Sequence, residues 1–408
     1  MYRCIAILGL AAHSLVAGSQ WVRGSAGRIR VEQAGKGGIP LVFVHGNGAC
    51  RGQWLEQVKR FSKERLVVTL DLRGLGESDP PADGTYGPEA GAGDLHAVVE
   101  ALALPSFVLV GHSYGGAVVA AYAATHPERL AGLVFNDVAG DMRGTPADQA
   151  QAAKDALSPE RYRATTRAWF EQILARAAES TRRRVLADLE ATRPEAFRGC
   201  SLSLLRFDPA GAGSFKGPKL HLYTELLENN PLALHASVPG LEARLVPGTS
   251  HWPHLDRPDA FNAVLGEFLR GVEAGAQCQG PGSHDLDFLL GEWRVRNPEG
   301  TLLGTLSVQK EASGCAFLER FRPVQGPEST SFYALDAATG RWSCTWAQGG
   351  AVRAGSQARG GGPVWEGAGG TWVLRWERRE EGRLRRIVEL QGPDGMTRRQ
   401  VWNCRREP

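Results

Sequence analysis

Hydrophobic residues follow a strand-and-helix pattern from residue 21 to 271. After a stretch at 21–33 that alternates like a hairpin, apolar runs end at Val44, Leu70 and Val110, and segments with helical spacing lie between them. Short runs that are apolar at every position are typical of parallel strands buried on both faces, which helical crossovers connect. The pattern predicts a mostly parallel sheet flanked by helices.

The alternation is interrupted between residues 140 and 217. This stretch is rich in Ala, Arg and Glu, and Trp169, Phe170, Ile173 and Leu174 form an apolar face at helical spacing. Strand-like runs resume after it. We therefore predict a group of helices inserted between two strands of the sheet.

A different pattern, with a period of two, extends from residue 284 to 408. Short alternating runs such as 293–296 and 372–376 are separated by turn sequences such as Gly392-Pro393-Asp394-Gly395. Eight or more short strands with close turns are typical of an all-β antiparallel barrel or sandwich, and we expect a barrel. Residues 272–283 contain Gly, Ala, Gln and Pro without periodicity and are expected to be a linker.

The N-terminal segment 1–18 has the pattern of a secretory signal peptide. It begins Met1-Tyr2-Arg3, continues with an apolar stretch and ends with small residues. We therefore expect export to the periplasm or the medium, and a cytoplasmic location if the segment is not a signal. Of the seven cysteines, six remain once Cys4 is removed, an even number that permits disulfides without indicating their pairing.

Composition and charge argue against several classes of function. The net charge is only +3, and the arginines are scattered among acidic residues, so no basic stripe indicates a nucleic-acid partner. No apolar run is long enough for an integral membrane span. The sequence has no Cys-x-x-Cys pair, phosphate loop or dinucleotide fingerprint, and we expect neither a metal nor a cofactor.

One stretch has the composition of a catalytic turn. Gly111-His112-Ser113-Tyr114-Gly115 lies between an apolar run at 107–110 and an Ala/Val-rich helical segment. In Gly-x-Ser-x-Gly, a sharp turn from strand to helix exposes the serine, and the flanking glycines leave room for that turn. With 51 glycines in the chain, the motif alone is weak evidence.

Three further motifs strengthen the interpretation of Gly-x-Ser-x-Gly as a catalytic turn. His45-Gly46-Asn47-Gly48, Asp71-Leu72-Arg73-Gly74-Leu75-Gly76-Glu77-Ser78 and Gly248-Thr249-Ser250-His251 each follow an apolar run. With these motifs in this order, residues 21–271 resemble the α/β-hydrolase family. The resemblance implies an α/β-hydrolase domain at 19–271, with the helices of 140–217 as a cap over the active site.

The tail resembles an uncharacterised family of bacterial lipocalin-like barrels. The resemblance rests on Asp287-Phe288-Leu289-Leu290-Gly291-Glu292-Trp293, on Gly314-Cys315-Ala316, and on the spaced residues Tyr333, Asp336, Thr339, Gly340 and Trp342. It implies a lipocalin-like barrel at 284–408 with a cavity. The Trp content allows two readings, a small apolar ligand in the barrel or an interior filled by the barrel's own side chains. It implies no known chemistry.

The α/β-hydrolase resemblance implies a catalytic set. Ser113 is the expected nucleophile, and His251, on the loop after the last strand of the sheet, is the expected base. The backbone N–H groups of Asn47 and Tyr114 are the expected oxyanion hole.

Three other histidines lie in or near the motifs. His112 directly precedes Ser113 and should point away from it, and His254 lies one step too far along the chain. His45 is expected to brace the oxyanion loop rather than to react.

The catalytic acid is where the sequence departs from the family pattern. The family usually has an Asp after the strand before the catalytic His, but residues 223–231 contain none. Glu228 lies closest to the expected position and is our first choice. Asp137, after an earlier strand, and Glu225 are the alternatives.

These observations together predict a serine hydrolase. Its substrate would be a small, partly apolar carboxylic ester, thioester or lactone, cleaved through an acyl-enzyme. The apolar face of the cap favours an apolar acyl or alcohol group. Two alternatives are a non-catalytic α/β-hydrolase-like receptor and a carrier of small ligands in the C-terminal barrel.

Overall fold

The computed structural model describes residues 18–238, 240–277, 286–311, 316–336, 341–348, 351–357, 364–367, 372–379, 382–391 and 396–406. The chain divides into two units, with the division after Phe268. The expected signal peptide, apart from Gly18, lies outside the described residues.

One sheet organises the first unit. Its eight strands are β1 (Gly18–Arg23), β2 (Arg28–Ala34), β3 (Leu41–Val44), β4 (Val67–Leu70), β5 (Phe107–His112), β6 (Leu130–Asn136), β7 (Lys219–Tyr223) and β8 (Glu242–Leu245). They lie in the order β1-β2-β4-β3-β5-β6-β7-β8. The β1–β2 hairpin and the β2–β4 pair are antiparallel, and all other neighbours are parallel. The predicted fold class of this part is confirmed.

In the described part of the chain, eight helices lie between strands of the sheet, and two more follow its last strand. They are α1 (Leu55–Phe61), α2 (Pro88–Ala101), α3 (Tyr114–Thr125), α4 (Ala147–Ala156), α5 (Tyr162–Ile173), α6 (Glu179–Glu190), α7 (Pro194–Ser203), α8 (Leu234–Ser237), α9 (Pro253–Asp256) and α10 (Pro258–Gln277). Helix α10 continues through the first half of the segment expected to be a linker, because Leu269 and Val272 remain buried along it. Residues 278–283 lie outside the described part.

The central strands of the sheet are covered on both faces, which leaves the ends of the strands as the place for a site. Every residue of β3, β4 and β5 is buried, as expected for parallel strands covered on both faces. Helix α3 lies closely against this layer, and its residues Tyr114 to Ala123 are all buried. The carboxyl ends of the parallel strands therefore meet at one edge, where ligands of such sheets bind.

Helices α4 to α7 form the insertion predicted between two strands, since they follow β6 and precede β7. Their buried residues include Tyr162, Phe170, Val185 and Phe197, which form one hydrophobic cluster with Trp252. Of the apolar face that the sequence pattern predicts, Phe170, Ile173 and Leu174 pack in or against this cluster, whereas Trp169 is 49% exposed.

The second unit is a closed barrel, as predicted. Its strands are β9 (Gly291–Arg296), β10 (Leu302–Glu311), β11 (Ala316–Pro323), β12 (Ser329–Asp336), β13 (Arg341–Gln348), β14 (Ala351–Gln357), β15 (Val364–Gly367), β16 (Trp372–Arg378), β17 (Arg383–Gln391) and β18 (Thr397–Arg406). Each strand pairs antiparallel with the next, and β9 also pairs with β18. Strands β14 and β15 were not predicted.

Three of the cysteines considered for disulfides are buried free thiols in the described chain. They are Cys200 in α7, Cys344 in β13 and Cys404 in β18. Burial raises the pKa of each of these thiols to about 12, so all three stay protonated and behave as small apolar side chains. Cys278 and Cys315 lie outside the described residues. None of the helices described in either unit has the length and apolar character that crossing a bilayer requires.

Candidate active site

Ser113 occupies a strained turn between β5 and α3. Its φ is 52° and its ψ is −122°, a conformation that non-glycine residues rarely adopt. The turn is tight: a Cβ added to Gly115 would lie 2.5 Å from the carbonyl oxygen of His45, and one added to Gly111 would lie 2.5 Å from that of Gly115. The two glycines of the motif are therefore required by backbone contacts, and the serine is left half-buried at the edge of the sheet.

His251 is hydrogen-bonded to Asp137. The distance between His251 Nδ1 and Asp137 Oδ2 is 2.6 Å, and the Asp137 side chain is fully buried. The other oxygen, Oδ1, accepts hydrogen bonds from the backbone N–H and the hydroxyl of Thr224, at 2.8 and 3.0 Å. The carboxylate is thus held on both sides, and it orients the imidazole through Nδ1.

Asp137, and not our first choice Glu228, is the residue that is hydrogen-bonded to His251. Glu228 is exposed and makes no hydrogen bond with His251. Glu225 accepts a hydrogen bond from the backbone N–H of Gly248 at 2.8 Å, which lowers its pKa. Asp137 has the position at His251 because it directly follows β6, the neighbour of β5 in the sheet, and its φ of 50° reverses the chain there.

His112 links the turn of Ser113 to the loop of His251. Its Nε2–H donates to the carbonyl oxygen of His251 over 2.8 Å, and the ring centroids are 4.8 Å apart. Burial, reinforced by His254 nearby, holds the pKa of His112 well below its ordinary value, so the ring is neutral. His112 therefore anchors the loop and is not poised as a base toward Ser113.

The other two histidines are structural as well. Burial lowers the pKa of His254 to about 3, and its Nδ1 lies 2.9 Å from the side-chain amide of Asn136. His45 donates from Nδ1 to the carbonyl oxygen of Gly46 and accepts from the Leu72 N–H at Nε2. His45 thus braces the loop between β3 and α1.

The expected oxyanion residues lie on either side of Ser113. A Cβ on Gly46 would come within 3.2 Å of Ser113 Cβ, so the loop containing Asn47 passes close to the serine. The Asn47 side chain donates to Phe197 O at 2.8 Å and to Ser201 Oγ at 2.9 Å, which ties the loop to α7. Tyr114 is the first residue of α3, where backbone N–H groups have no partner within the helix.

Apolar side chains of the inserted helices pack against Trp252, the residue that follows His251. The ring centroid of Trp252 lies 5.0 Å from that of His251 and 5.5 Å from that of Phe170 in α5. Gly48 is in the same region, since a Cβ there would lie 3.2 Å from the Phe197 ring. The site therefore combines a serine, an oriented imidazole and backbone donors beside an apolar wall. The described residues contain no group of three or more His, Cys, Asp or Glu arranged to bind a metal ion.

A family model described as the alpha/beta hydrolase fold matches residues 39–215. Among curated proteins, the chain is 24% identical over 265 residues to a 2-hydroxymuconate semialdehyde hydrolase of Pseudomonas sp. (strain CF600), a match that covers 59% of this chain and 89% of the relative. It is 25% identical over 290 residues to a (lyso)-N-acylphosphatidylethanolamine lipase of Mus musculus, covering 60% and 83%.

Among solved structures, a thermophilic esterase from Thermogutta terrifontis with bound malate has a TM-score of 0.53 and 25% sequence identity, covering 63% of this chain and 99% of the esterase. The names of these relatives differ in substrate and agree on hydrolysis.

Proposed function

Since the N-terminal unit of this chain belongs to the α/β-hydrolase superfamily, we propose that it cleaves carboxylic esters through an acyl-enzyme on Ser113. The observation that carries the proposal is the chain of contacts from the strained turn of Ser113 through His112 to His251 and from there to Asp137. It supports a Ser-His-Asp triad assembled at one edge of the sheet.

In the first half of the reaction, Ser113 Oγ attacks the ester carbonyl carbon and His251 Nε2 takes the hydroxyl proton. Nε2 is the nitrogen available for this step because Nδ1–H is donated to Asp137. The buried carboxylate holds the ring in that tautomer and stabilises the imidazolium that forms. His251 then returns the proton to the departing alkoxide, and the acyl group stays on Ser113.

In the second half, water attacks the acyl-enzyme while His251 accepts its proton. The carboxylic acid leaves, and Ser113 Oγ recovers the proton from His251. In both halves the carbonyl oxygen becomes an oxyanion, which the backbone N–H groups of Tyr114 and Asn47 would bind. One such donor is worth about 3 kcal/mol of transition-state stabilisation.

The apolar wall supports an ester with an apolar acyl or alcohol group. Trp252 lies beside His251, and Phe170 of the inserted helix α5 packs against Trp252, so aromatic side chains border the loop of the proposed base. The relatives include an esterase and a lipase, in keeping with such a substrate. Thioesters and lactones present the same carbonyl chemistry and belong to the same proposal.

The test is Ser113→Ala, with Ser180→Ala as the matched control because Ser180 is an exposed serine of α6. Wild-type and Ser180→Ala proteins should hydrolyse p-nitrophenyl esters and react with a fluorophosphonate, and Ser113→Ala should do neither. Ester, thioester and lactone panels of matched acyl length then identify the preferred carbonyl compound. A folded wild-type protein that neither turns over any of them nor is labelled would overturn the proposal in favour of a non-catalytic receptor.

A further inference from the structure

The interior of the barrel contains a buried guanidinium without a hydrogen-bonded acceptor. Arg386 in β17 is only 1% exposed. Its Nη2 lies 3.4 Å from Glu319 Oε1, yet none of its three nitrogens makes a hydrogen bond in the described part of the chain. The side chain points into the barrel, because it contacts Trp346 of β13 and Glu319 of β11, and neither strand is a neighbour of β17.

The hydrogen-bonding capacity of Glu319 is directed elsewhere. Its Oε1 accepts from the hydroxyl of Ser331 at 2.9 Å, and its Oε2 accepts from the hydroxyl of Tyr333 at 2.7 Å. Burial keeps the pKa of Tyr333 well above its ordinary value, so the phenol remains a donor. Glu319 therefore gives Arg386 an opposite charge at 3.4 Å but no aligned acceptor.

Indole groups add further donors without partners. The Nε1 atoms of Trp346, Trp365 and Trp402 are buried and make no hydrogen bond within the described residues. Trp402 pairs with Arg386 across β17 and β18, and its ring centroid is 4.4 Å from the guanidinium carbon. A buried donor without an acceptor costs about 1–3 kcal/mol, so acceptor atoms that enter this barrel interior, from water or from a ligand, would be stabilised there.

We propose that the barrel binds an organic monocarboxylate with an apolar body, with its carboxylate on Arg386 and the adjacent Trp402 N–H and its body against the other tryptophan rings. A carboxylate presents two coplanar oxygens that match the guanidinium fork. Because Glu319 already lies 3.4 Å from Arg386, a ligand with one negative charge meets less repulsion there than a dianion would. Around it, Leu306, Val308, Phe317, Phe321 and Leu374 supply an apolar interior. This site is independent of the reaction at Ser113.

The first experiment compares ligands of equal chain length on the full-length wild-type protein. Decanoate, 1-decanol and decyltrimethylammonium are titrated by calorimetry below their aggregation concentrations, with tryptophan fluorescence as a second readout. Decanoate should bind at least about tenfold more tightly than the alcohol, the size expected of a charge-assisted hydrogen bond. The ammonium should be the weakest ligand. Equal affinities for decanoate and decanol, or no binding of decanoate, would overturn the proposal.

The second experiment locates the site. Arg386→Met should lower decanoate affinity at least about tenfold and leave decanol affinity unchanged, whereas Arg386→Lys, which keeps the charge but loses the fork, should show an intermediate loss. Near-ultraviolet circular dichroism checks that the barrel is folded. A folded Arg386→Met protein that binds decanoate like the wild type would overturn the assignment.

A more conservative substitution tests the same site if Arg386→Met does not fold. Trp402→Phe removes one unpartnered N–H and keeps an aromatic ring over the guanidinium. It should weaken decanoate binding several-fold without changing decanol binding. Unchanged decanoate affinity in this variant would contradict a ligand oxygen at the indole donors.

Discussion

Asp137 Oδ2 lies 2.6 Å from His251 Nδ1, although the two residues are 114 positions apart in the chain. The contact determines the tautomer of the histidine, because a carboxylate can only accept, and Nδ1 must therefore carry the hydrogen. Nε2 is left without a proton, as a general base requires. The proposed catalysis depends on this one hydrogen bond.

Asp137→Asn should reverse that tautomer. The amide oxygen can still accept from Thr224, so the NH₂ group faces His251 and Nδ1 must become the acceptor. Nε2 then carries the proton and cannot take another from Ser113. We expect kcat on p-nitrophenyl esters to fall by about 10³- to 10⁴-fold with the fold retained.

Glu228→Gln is the matched control for this change, because it also neutralises one carboxyl group near the loop, at an exposed position. Its kcat should equal that of the wild type. If Glu228→Gln loses activity and Asp137→Asn does not, the acid of the triad is Glu228.

Ser113→Gly should be more stable than Ser113→Ala. Both variants lack the nucleophile, but only alanine keeps a Cβ in the turn, whose φ is 52°. Strained conformations of this kind cost about 1–3 kcal/mol for residues other than glycine. Scanning calorimetry of the full chain should show the higher transition temperature for Ser113→Gly. Equal transition temperatures would show that the turn is not strained at this residue.

Gly115→Ala should destabilise the first unit and disturb the site. The added Cβ would lie 2.5 Å from His45 O and 2.6 Å from Val44 O, so the turn or β3 must move. We expect a loss of several kcal/mol, because backbone atoms cannot give way as a flexible side chain can. Gly93→Ala in α2 is the control: its Cβ would meet nothing within 4 Å, and alanine should stabilise the helix by about 0.5–1 kcal/mol. Equal effects of the two changes would contradict the tight approach at the turn.

Acid should destabilise the first unit through its buried histidines. Burial lowers the pKa of both His221 and His254 from 6.5 to about 3. Between these values the unfolded chain binds protons that the folded chain does not, so stability falls as the pH drops from 6.5 toward 3. Each histidine adds at most about 1.4 kcal/mol per pH unit.

A titration of the unfolding temperature tests this account. His254→Asn keeps an acceptor for Asn136 but cannot titrate, and its stability should change less steeply with pH than that of the wild type. Parallel curves for the two proteins would exclude His254 as a source of the acid sensitivity.

The centre of the sheet was predictable because β3, β4 and β5 are short runs buried at every position. Strands β14 and β15 were missed for the opposite reason. In β14, the described side chains of residues 353–356 are exposed or half-buried, and Arg353, Gly355 and Ser356 follow no apolar alternation. These strands are held by the ladders on both sides, a long-range cause that a local pattern does not contain.

The site residues that lie in sequence motifs were predictable, whereas the residue that is placed by the order of the strands was not. Ser113 and His251 stand in recognisable sequence contexts, whereas the partner of His251 depends on which strand ends beside β5. Sequence distance favoured Glu228, but the order of strands brings Asp137 to the histidine. Thr224, which holds the second oxygen of Asp137, gave no signal of its own.

The buried polar residues of the barrel were not found at all from the sequence. Arg386 and Glu319 lie in strands that otherwise alternate, and a charged residue at an inward position is indistinguishable from an outward one when the register of the strand is unknown. Glu319 of β11, Trp346 of β13 and Arg386 of β17 come together only when the barrel is closed.

The pairing of β9 with β18 also determines when, during translation, the barrel can close. Gly291–Arg296 needs Thr397–Arg406 as its second neighbour, so the barrel cannot close until about a hundred further residues have been translated. The sheet of the first unit, whose last strand ends at Leu245, has no such dependence. On the ribosome, the hydrolase would be assembled while the first strand of the barrel still had an open hydrogen-bonding edge, exposed to other nascent chains.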